Sequence, residues 1–525
     1  MISKLFKCTA LGIGLSLGLT LFSPIYPASI TWASAQQPLR HQVSPDIPLQ
    51  SYVYDYLDKL DGLGYLKDMQ TGTKPYTRLQ VAQWVEQISA MAKEQPAMPK
   101  YVESMLNQLQ VDFQQELDFL NGSKLKHSLA VKEITLTETY YDGDTLSQHR
   151  TRSTYQPLNI NNDRNRFSQN LNHEISMRVE GTLNDHLVVS ATPKFTYGTD
   201  THSDTQLAAG YIKTNINNVE FQLGKKPVWW GPGNRGGLLL TNNAQPQTGI
   251  TIGNIDPVTH NGLLKFLGPT NVTVIYSEME KDRQDVKSPS FFASRADFTP
   301  SKNFTFAWSL ASIVGGEGKS LSGRDYLDFI TGKNAETAAQ DKWNSIAGFD
   351  FRWRMPQLGG IQFYGELYGE DQAMAVIIPT PSKVAETLGI YIPRVSADGS
   401  WDARLEYAHT TNVWYSHSAY TDGYTYKGNI LGDAMGHDAN RYYAKLTHYN
   451  DNGSSLSLNL ENVTQHLSAP SPQKISAAWL ATKINLDTNT FLNASAGVAQ
   501  IKNKGYQAGV SDKNYLVGVS LTKLF

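Results

Sequence analysis

The sequence contains almost no cysteine. Of its 525 residues only Cys8 is a cysteine, and it lies within the first 35 residues. It precedes the apolar stretch at residues 11–22, which is the wrong position for a lipid-attachment cysteine. The chain after residue 35 therefore has no cysteine, which excludes disulfides and thiolate metal sites.

Charged residues and long apolar runs are also scarce. Charged residues make up 18% of the chain and hydrophobic residues 40%, both below the averages of soluble proteins. The 46 Lys and Arg nearly balance the 48 Asp and Glu, so we expect no attraction to nucleic acid. After residue 35 no run approaches the roughly 18 apolar residues of a membrane helix. A transmembrane barrel gives the same result, because only alternate residues of its strands face lipid.

The first 35 residues have the pattern of a secretory signal peptide. Lys4 and Lys7 form a positive start, residues 11–22 are apolar, and Ala33 and Ala35 fit a small-residue cleavage site. We expect export with cleavage near Ala35. Residues 36–50 are polar, contain proline and are interpreted as a linker.

Residues 51–122 have a helical period. A first helix should end at Gly64, and its apolar face consists of Val53, Tyr56, Leu57, Leu60 and Leu63. Thr77 and Gln80 form a capping box before a second helix, and the apolar spacing continues as a third helix over residues 102–120. This pattern predicts a small three-helix bundle.

Residues 123–525 change to short alternating runs separated by Asn, Asp, Gly and Pro. One clear hairpin covers residues 207–225 and turns at Asn217 and Asn218. The length suits a transmembrane antiparallel barrel of roughly 18 strands, an even number being expected. Several soluble sandwiches or a propeller are alternatives, but the sequence has no blade-like repeat at a fixed period.

The last strand favours the barrel. Tyr515, Val517, Val519 and Leu521 alternate with smaller or more polar residues, and the chain ends at Phe525. This ending resembles the C-terminal signal that the barrel assembly machinery of the outer membrane reads. One face would meet lipid, the other the lumen, and the last strand would pair with the first to remove the edge.

Residues 225–246 have an unusual composition for a strand. Trp229 and Trp230 are followed by Gly231, Pro232 and Gly233, and these three residues predict a rigid bend. Further along come Arg235, an apolar run at 238–240, and the amides of Asn242 and Asn243. The stretch resembles the signature of the Wzi capsule-assembly family, whose members are outer-membrane barrel lectins.

Four further stretches resemble the same family in the same order. They are residues 304–318, ending in Gly-Gly-Glu-Gly, residues 348–354, residues 364–371, and the tyrosine-rich residues 420–438. The resemblance implies a barrel with the helical bundle at its periplasmic end and a polysaccharide-binding extracellular face. A bundle in that place would obstruct the lumen and would argue against a free pore.

Sugar recognition requires flat apolar faces and planar polar side chains. The candidates for polysaccharide binding are Trp229, Trp230, Arg235, Trp414, Tyr415, Tyr424, Tyr426 and Lys427, with His417 and Tyr420 beside them. Barrels also place aromatic rings in interfacial girdles or in the lumen, and for any single ring that structural role is favoured. Gly231, Pro232 and Gly233 should shape the bend, and Asn242 and Asn243 should satisfy turn backbone.

Glu366, Glu370 and Asp371 form a carboxylate cluster that glycoside hydrolysis could use. We favour instead lumen ion pairs with residues such as Arg352 and Arg354, because a polar barrel interior needs paired charges. No histidine spacing supports a metal site, and no cofactor is expected.

The sequence therefore predicts a non-enzymatic outer-membrane lectin that attaches or helps assemble capsular or exopolysaccharide. Its expected partners are that polysaccharide, outer-membrane lipid and, through Phe525, the barrel assembly machinery. A channel or porin for small solutes is the main alternative, and an outer-membrane hydrolase is the second.

Overall fold

The computed structural model describes residues 41–67, 69–94, 98–198, 201–330, 341–370 and 383–525. The predicted signal peptide and Asp371 lie outside these residues, as do residues 36–40 of the predicted linker. The described part of that linker packs against the barrel wall. Val43 and Ile47 are buried, and Lys213 Nζ lies 2.6 Å from Asp46 Oδ1.

In the described residues eighteen antiparallel strands close into a barrel in which every strand pairs with its sequence neighbours. The strands are β1 (Ser128–Asp142), β2 (Asn170–Asn184), β3 (Leu187–Gly198), β4 (Thr201–Ile216), β5 (Val219–Lys225), β6 (Thr248–Asn254), β7 (Thr270–Glu278), β8 (Ser290–Ser301), β9 (Phe304–Val314), β10 (Trp343–Met355), β11 (Ile361–Glu370), β12 (Val384–Ile392), β13 (Trp401–Thr410), β14 (Ala439–Tyr449), β15 (Ser455–Gln465), β16 (Gln473–Asp487), β17 (Thr490–Lys502) and β18 (Ser511–Leu524). The predicted hairpin at 207–225 is confirmed as β4 and β5.

The last strand pairs with the first, as the alternation predicts. β18 lies antiparallel to β1, from Glu133 opposite Leu524 to Asp142 opposite Tyr515. Val517 and Val519 are among the exposed side chains, whereas Asn514 is buried and Ser520 and Thr522 line a cavity within the lumen. This division gives one apolar outer face and one polar inner face, which is the pattern of a lipid-embedded barrel.

The N-terminal helices are α1 (Tyr52–Leu63), α2 (Arg78–Glu94), α3 (Lys100–Asp112) and α4 (Gln114–Leu120). α1 ends at Gly64 with φ of 96°, and Gln80 N donates to Thr77 Oγ1 over 3.3 Å before α2, as the sequence predicts. The predicted third helix is two helices separated at Phe113, so the expected count of three is not confirmed. A further short helix, α5 (Gly323–Ile330), lies between β9 and β10.

The helices close one end of the barrel, which we call the bundle end. Asp61 pairs with Arg352 on β10, and Lys59 Nζ donates to Pro393 O over 2.8 Å. Tyr56 Oη donates to Gly453 O over 3.0 Å. The chain connections at this end include two-residue turns, whereas the other end, the loop end, carries long loops such as residues 143–169 and 411–438.

None of the helices in the described ranges combines the length and apolar character needed to cross a membrane.

Candidate functional site

Residues 226–247 turn inward after β5 and form the centre of a lumen plug. Trp229–Trp230 makes a two-residue strand that pairs with Thr73–Lys74, a segment between α1 and α2. Trp230 N also donates to Leu240 O over 2.9 Å, which folds the loop on itself. Gly231 has φ of 111°, and a Cβ there would collide with the Glu366 carboxylate. The predicted rigid bend therefore lies within the barrel.

Two carboxylates of the barrel wall hold the backbone of this loop. Glu366 Oε2 accepts from Leu238 N over 2.7 Å. Glu406 accepts from Asn234 N over 2.6 Å and from Arg235 N over 2.9 Å. Charge-assisted bonds of this kind are stronger than neutral ones, so the loop is fixed to the strands at several points.

Arg235 is paired within the lumen. Its Nε and Nη2 atoms each lie 2.7 Å from one oxygen of Glu461, and its guanidinium lies 4.7 Å from the Trp479 ring centre. Both members of the ion pair are largely buried. This geometry locks the loop to β15 and β16.

The tyrosine-rich residues 411–438 form the second layer of the plug. Tyr415 Oη donates to Leu238 O over 2.5 Å, and Tyr424 Oη donates to Leu239 O over 3.0 Å. The two rings stack with centres 5.5 Å apart. Burial raises the pKa of both hydroxyls well above its ordinary value, so they stay protonated and donate hydrogen bonds to these carbonyls. Trp414 is fully buried in the same apolar cluster.

The remaining predicted site residues divide between the plug and the surface. Asn242 Nδ2 donates to Asn161 O over 2.8 Å and Asn243 Nδ2 to Ile430 O over 2.9 Å, so both satisfy loop backbone. Tyr420 Oη donates to Lys342 O over 2.7 Å. Tyr426 is buried, with its pKa raised to about 12 by desolvation, whereas Lys427 is exposed.

The predicted pairing of Glu366 and Glu370 with Arg352 and Arg354 is wrong for both arginines. The Arg352 guanidinium bonds Asp61 and Gln362, and Arg354 Nη1 donates to Asn303 Oδ1 over 3.4 Å, because both arginines lie nearer the bundle end than Glu366. Glu370 Oε2 accepts from Tyr415 N over 2.7 Å, so this carboxylate also holds plug backbone. Glu366 and Glu370 are thus enclosed by the loops that they bind, which leaves no room for a glycan between them.

An open cavity of ≈ 740 Å³ lies at the loop end, and sequence reasoning did not identify it. Its lining includes Arg150, Arg152, Gln284, His417 and Asp422. The two arginines are exposed, yet each is tethered through Nη1 to a backbone carbonyl, of Asn412 over 3.0 Å and of Asp282 over 3.1 Å. The only sequence signal was the Arg-Thr-Arg run at 150–152 within a long loop.

The loops around this cavity have their own supports. Gln284 N donates to Asp422 Oδ2 over 2.9 Å, and Asp422 N donates to Asp285 Oδ2 over 2.8 Å. Arg283 Nε lies 2.9 Å from Asp285 Oδ1; burial alone would raise the pKa of that carboxyl, but the hydrogen bonds and charge of Arg283 lower it. Across the described chain, no three or more His, Cys, Asp or Glu are arranged to hold a metal ion.

Comparison with known proteins gives consistent results. The family model of the capsule assembly protein Wzi matches residues 144–516. Wzi of Escherichia coli, an outer membrane protein described as a carbohydrate-binding β-barrel involved in group 1 capsule assembly, superposes with a TM-score of 0.70 at 19% identity, covering 92% of this chain and 100% of that chain. OprD of Pseudomonas aeruginosa superposes with a TM-score of 0.45 at 11% identity, over 76% of this chain and 94% of that chain.

A curated relative comes from the cps region of Klebsiella pneumoniae, where it is named an uncharacterized 55.8 kDa protein. It is 30% identical over 159 residues, which is 30% of this chain and 31% of the relative. The family match, by contrast, extends over most of the barrel, from the loop after β1 into β18. This chain belongs to the capsule assembly protein Wzi family.

Proposed function

We propose that this protein is an outer-membrane lectin that attaches or helps assemble capsular or exopolysaccharide on the cell surface. It would reach the membrane through a signal peptide cleaved near Ala35. The closure of β18 onto β1, with Phe525 N donating to Lys132 O over 3.1 Å, supports assembly through a C-terminal signal. The bundle end would then face the periplasm and the loop end the outside, because outer-membrane barrels have short periplasmic turns and longer external loops.

The cavity at the loop end is the observation that carries the proposal. Its volume of ≈ 740 Å³ accommodates several sugar units, and it is open to solvent above the tyrosine-rich loop of the plug, which contributes His417 and Asp422 to its lining. Arg150 and Arg152 have their guanidinium groups held in place by backbone carbonyls, so little conformational freedom is lost when they bind. Fixed guanidinium groups suit sugar carboxylates and paired hydroxyls.

The residues selected from the sequence take two roles in this proposal. Lys427, which is exposed at the loop end, contacts the polysaccharide directly. The buried residues position the loops that bear the cavity; they are Trp229, Trp230, Arg235, Trp414, Tyr415, Tyr424 and Tyr426. Their replacement should weaken binding only through loss of loop structure.

A strain without this gene provides the first test. Polysaccharide retained on washed cells is quantified against polysaccharide released into the medium. A lectin that attaches the polymer predicts a shift from bound to released material with the total unchanged. Unchanged retention would refute the proposal.

The cavity is tested with an Arg150→Gln and Arg152→Gln double variant. Binding of the strain's own purified polysaccharide should weaken by at least about tenfold, since a hydrogen bond to a charged group contributes about 1.5–3 kcal/mol. Lys474→Gln with Lys502→Gln is the matched control, because it removes two exposed positive charges near the same end of the barrel. Equal binding by both double variants would exclude the cavity.

A second candidate function, a small-solute channel, is favoured by one observation. A cavity of ≈ 690 Å³ remains between the plug, the helical bundle and strands including β1, β2 and β14–β18, and hydroxyl side chains such as Thr135, Ser176 and Ser520 line it. The two plug loops and the bundle oppose this function, because they occupy the rest of the lumen. Single-channel conductance in planar bilayers distinguishes the two functions.

A further inference from the structure

The connection between β6 and β7 differs from the short turns at the bundle end. It covers residues 255–269 and contains a 3₁₀ helix at Gly262–Leu267, whereas β4 and β5 are joined by two residues, as are β8 and β9. A longer connection here must lie across the barrel opening or against its wall.

The segment lies against the outer wall. Arg295 and Asp297 on β8 point into the lumen, where Arg295 bonds Asp350, so Phe298 points outward. Thr270, directly opposite on β7, points outward as well. Both are nevertheless buried, and His260 Nε2 lies 2.8 Å from Thr270 Oγ1. Residues 255–269 therefore cover Phe298 and Thr270, two side chains that would otherwise face lipid.

The segment is fixed in this position. Val258 and Thr270 exchange two backbone hydrogen bonds of 2.9 Å, and Thr299 N donates to Pro269 O over 3.0 Å. Gly268 has φ of 68°, and a Cβ there would collide with the carbonyl of Thr299. Only glycine fits this close approach without strain.

Its outer side presents apolar residues with no cover from the described chain. Leu263 is 94% exposed and Phe266 is 68% exposed. Outward-facing rings continue around the barrel from Phe298 across β9, β10 and β11. Phe304 lies opposite Trp353, and Trp353 lies opposite Phe363. Trp353 is 47% and Phe363 38% exposed. Such a row is the aromatic girdle that barrels place at the membrane interface.

We propose that the 3₁₀ helix at Gly262–Leu267 inserts into the bundle-side leaflet of the membrane, with Leu263 and Phe266 among the lipid acyl chains. The apolar surface is continuous with the girdle, which identifies lipid as its partner. Lys265 lies between these two residues in sequence and is exposed, so its ammonium can reach the phosphate of a lipid headgroup. The proposal requires that the barrel spans a bilayer and does not depend on polysaccharide binding.

Spin labels test the insertion, and the scarcity of cysteine makes the labelling specific. Single-cysteine variants Leu263→Cys and Phe266→Cys, made with Cys8→Ser, are refolded into phospholipid nanodiscs and spin-labelled. Lys302→Cys, in the exposed turn between β8 and β9, is the water-side control. Leu223→Cys, 60% exposed on β5, is the lipid-side control.

For each spin label, the rate of collision with oxygen, which concentrates in lipid, is compared with the rate of collision with a water-soluble nickel complex. Insertion predicts that both new labels favour oxygen, as the Leu223 label does, while the Lys302 label favours nickel. Labels at 263 and 266 that behave as the Lys302 label does would overturn the proposal and indicate a periplasmic partner for this surface.

Discussion

Replacing Arg235 with methionine separates its two possible roles, ligand contact and lumen support. Its guanidinium makes two parallel 2.7 Å contacts with Glu461, whose side chain is 2% exposed. Methionine retains most of the side-chain volume and removes the charge. Glu461 would then remain buried without its partner.

The expected effect on the plug is large. Removing one partner of a buried ion pair destabilises by about 3–5 kcal/mol. If even 3 kcal/mol of this acts on local opening of residues 226–247, exchange of the loop amides accelerates by about 100-fold, since 1.4 kcal/mol is a factor of ten. Hydrogen–deuterium exchange with mass spectrometry measures this, and the amides of Asn234 and Leu238 are the probes because wall carboxylates accept from both.

The double variant Arg235→Met with Glu461→Met is the control. Replacing a buried ion pair by apolar residues of similar volume is often neutral, so exchange should return close to the native rate. Fast exchange in the double variant would show that the unpaired carboxylate is not the cause. Native exchange in the single variant, together with weakened polysaccharide binding, would refute the lumen role and make Arg235 a ligand contact.

Three further predictions follow from the geometry of the loops and the bundle. Gly231→Ala should lower the yield of heat-modifiable folded barrel on gels, since its strain and the collision with Glu366 together cost about 1–3 kcal/mol or more; Gly122→Ala, with φ of 98° in open space, controls for strain alone. Deleting residues 51–122 should leave single-channel conductance low, because the loops at 226–247 and 411–438 still occupy much of the lumen and residues 158–167 still line the remaining cavity from the loop end; porin-like conductance would contradict this. Burial beside His149 and His466 lowers the pKa of His437 to about 4, with Asp438 and Arg150 also nearby. Between about pH 6.5 and 4 the His437 imidazole is therefore protonated in the unfolded chain but neutral in the folded one. Up to about 3 kcal/mol of stability is present above pH 6.5 and is lost on acidification through this range. His437→Gln should flatten the profile of thermal stability against pH over the same range.

The barrel could be predicted because its pairing is local in sequence. Each strand pairs with its neighbours, and the lipid face imposes a period of two, as at Val517 and Val519. The break at Phe113 could not be predicted, since the apolar spacing continues across it. At this break Arg78 Nη2 donates to Asp112 O over 2.5 Å, and the Arg78 guanidinium lies 4.5 Å from the Phe113 ring centre. This contact joins α2 to the end of α3, and the apolar spacing of the sequence does not indicate it.

The site was less predictable because aromatic rings serve the plug and a glycan equally well. Tyr415 and Tyr424 have the composition of a sugar site, but their hydroxyls bond carbonyls of the loop at 226–247. The proposed role of Arg150 and Arg152 was not predicted from the sequence, because distant segments position these two side chains. Their anchors are carbonyls of Asn412 and Asp282, which the folding of three loops brings together.

The way the plug is fixed favours a binding surface over a gated channel. Glu366, Glu370 and Glu406 project from the wall, and each accepts a backbone N–H of a plug loop over 2.6–2.9 Å. Withdrawing the loops would break these bonds together, and a hydrogen bond to a charged group contributes about 1.5–3 kcal/mol. A gate needs a small difference between its open and closed states. Here the closed state is favoured at many points, so the loops form a fixed platform beneath the cavity that Arg150 and Arg152 line.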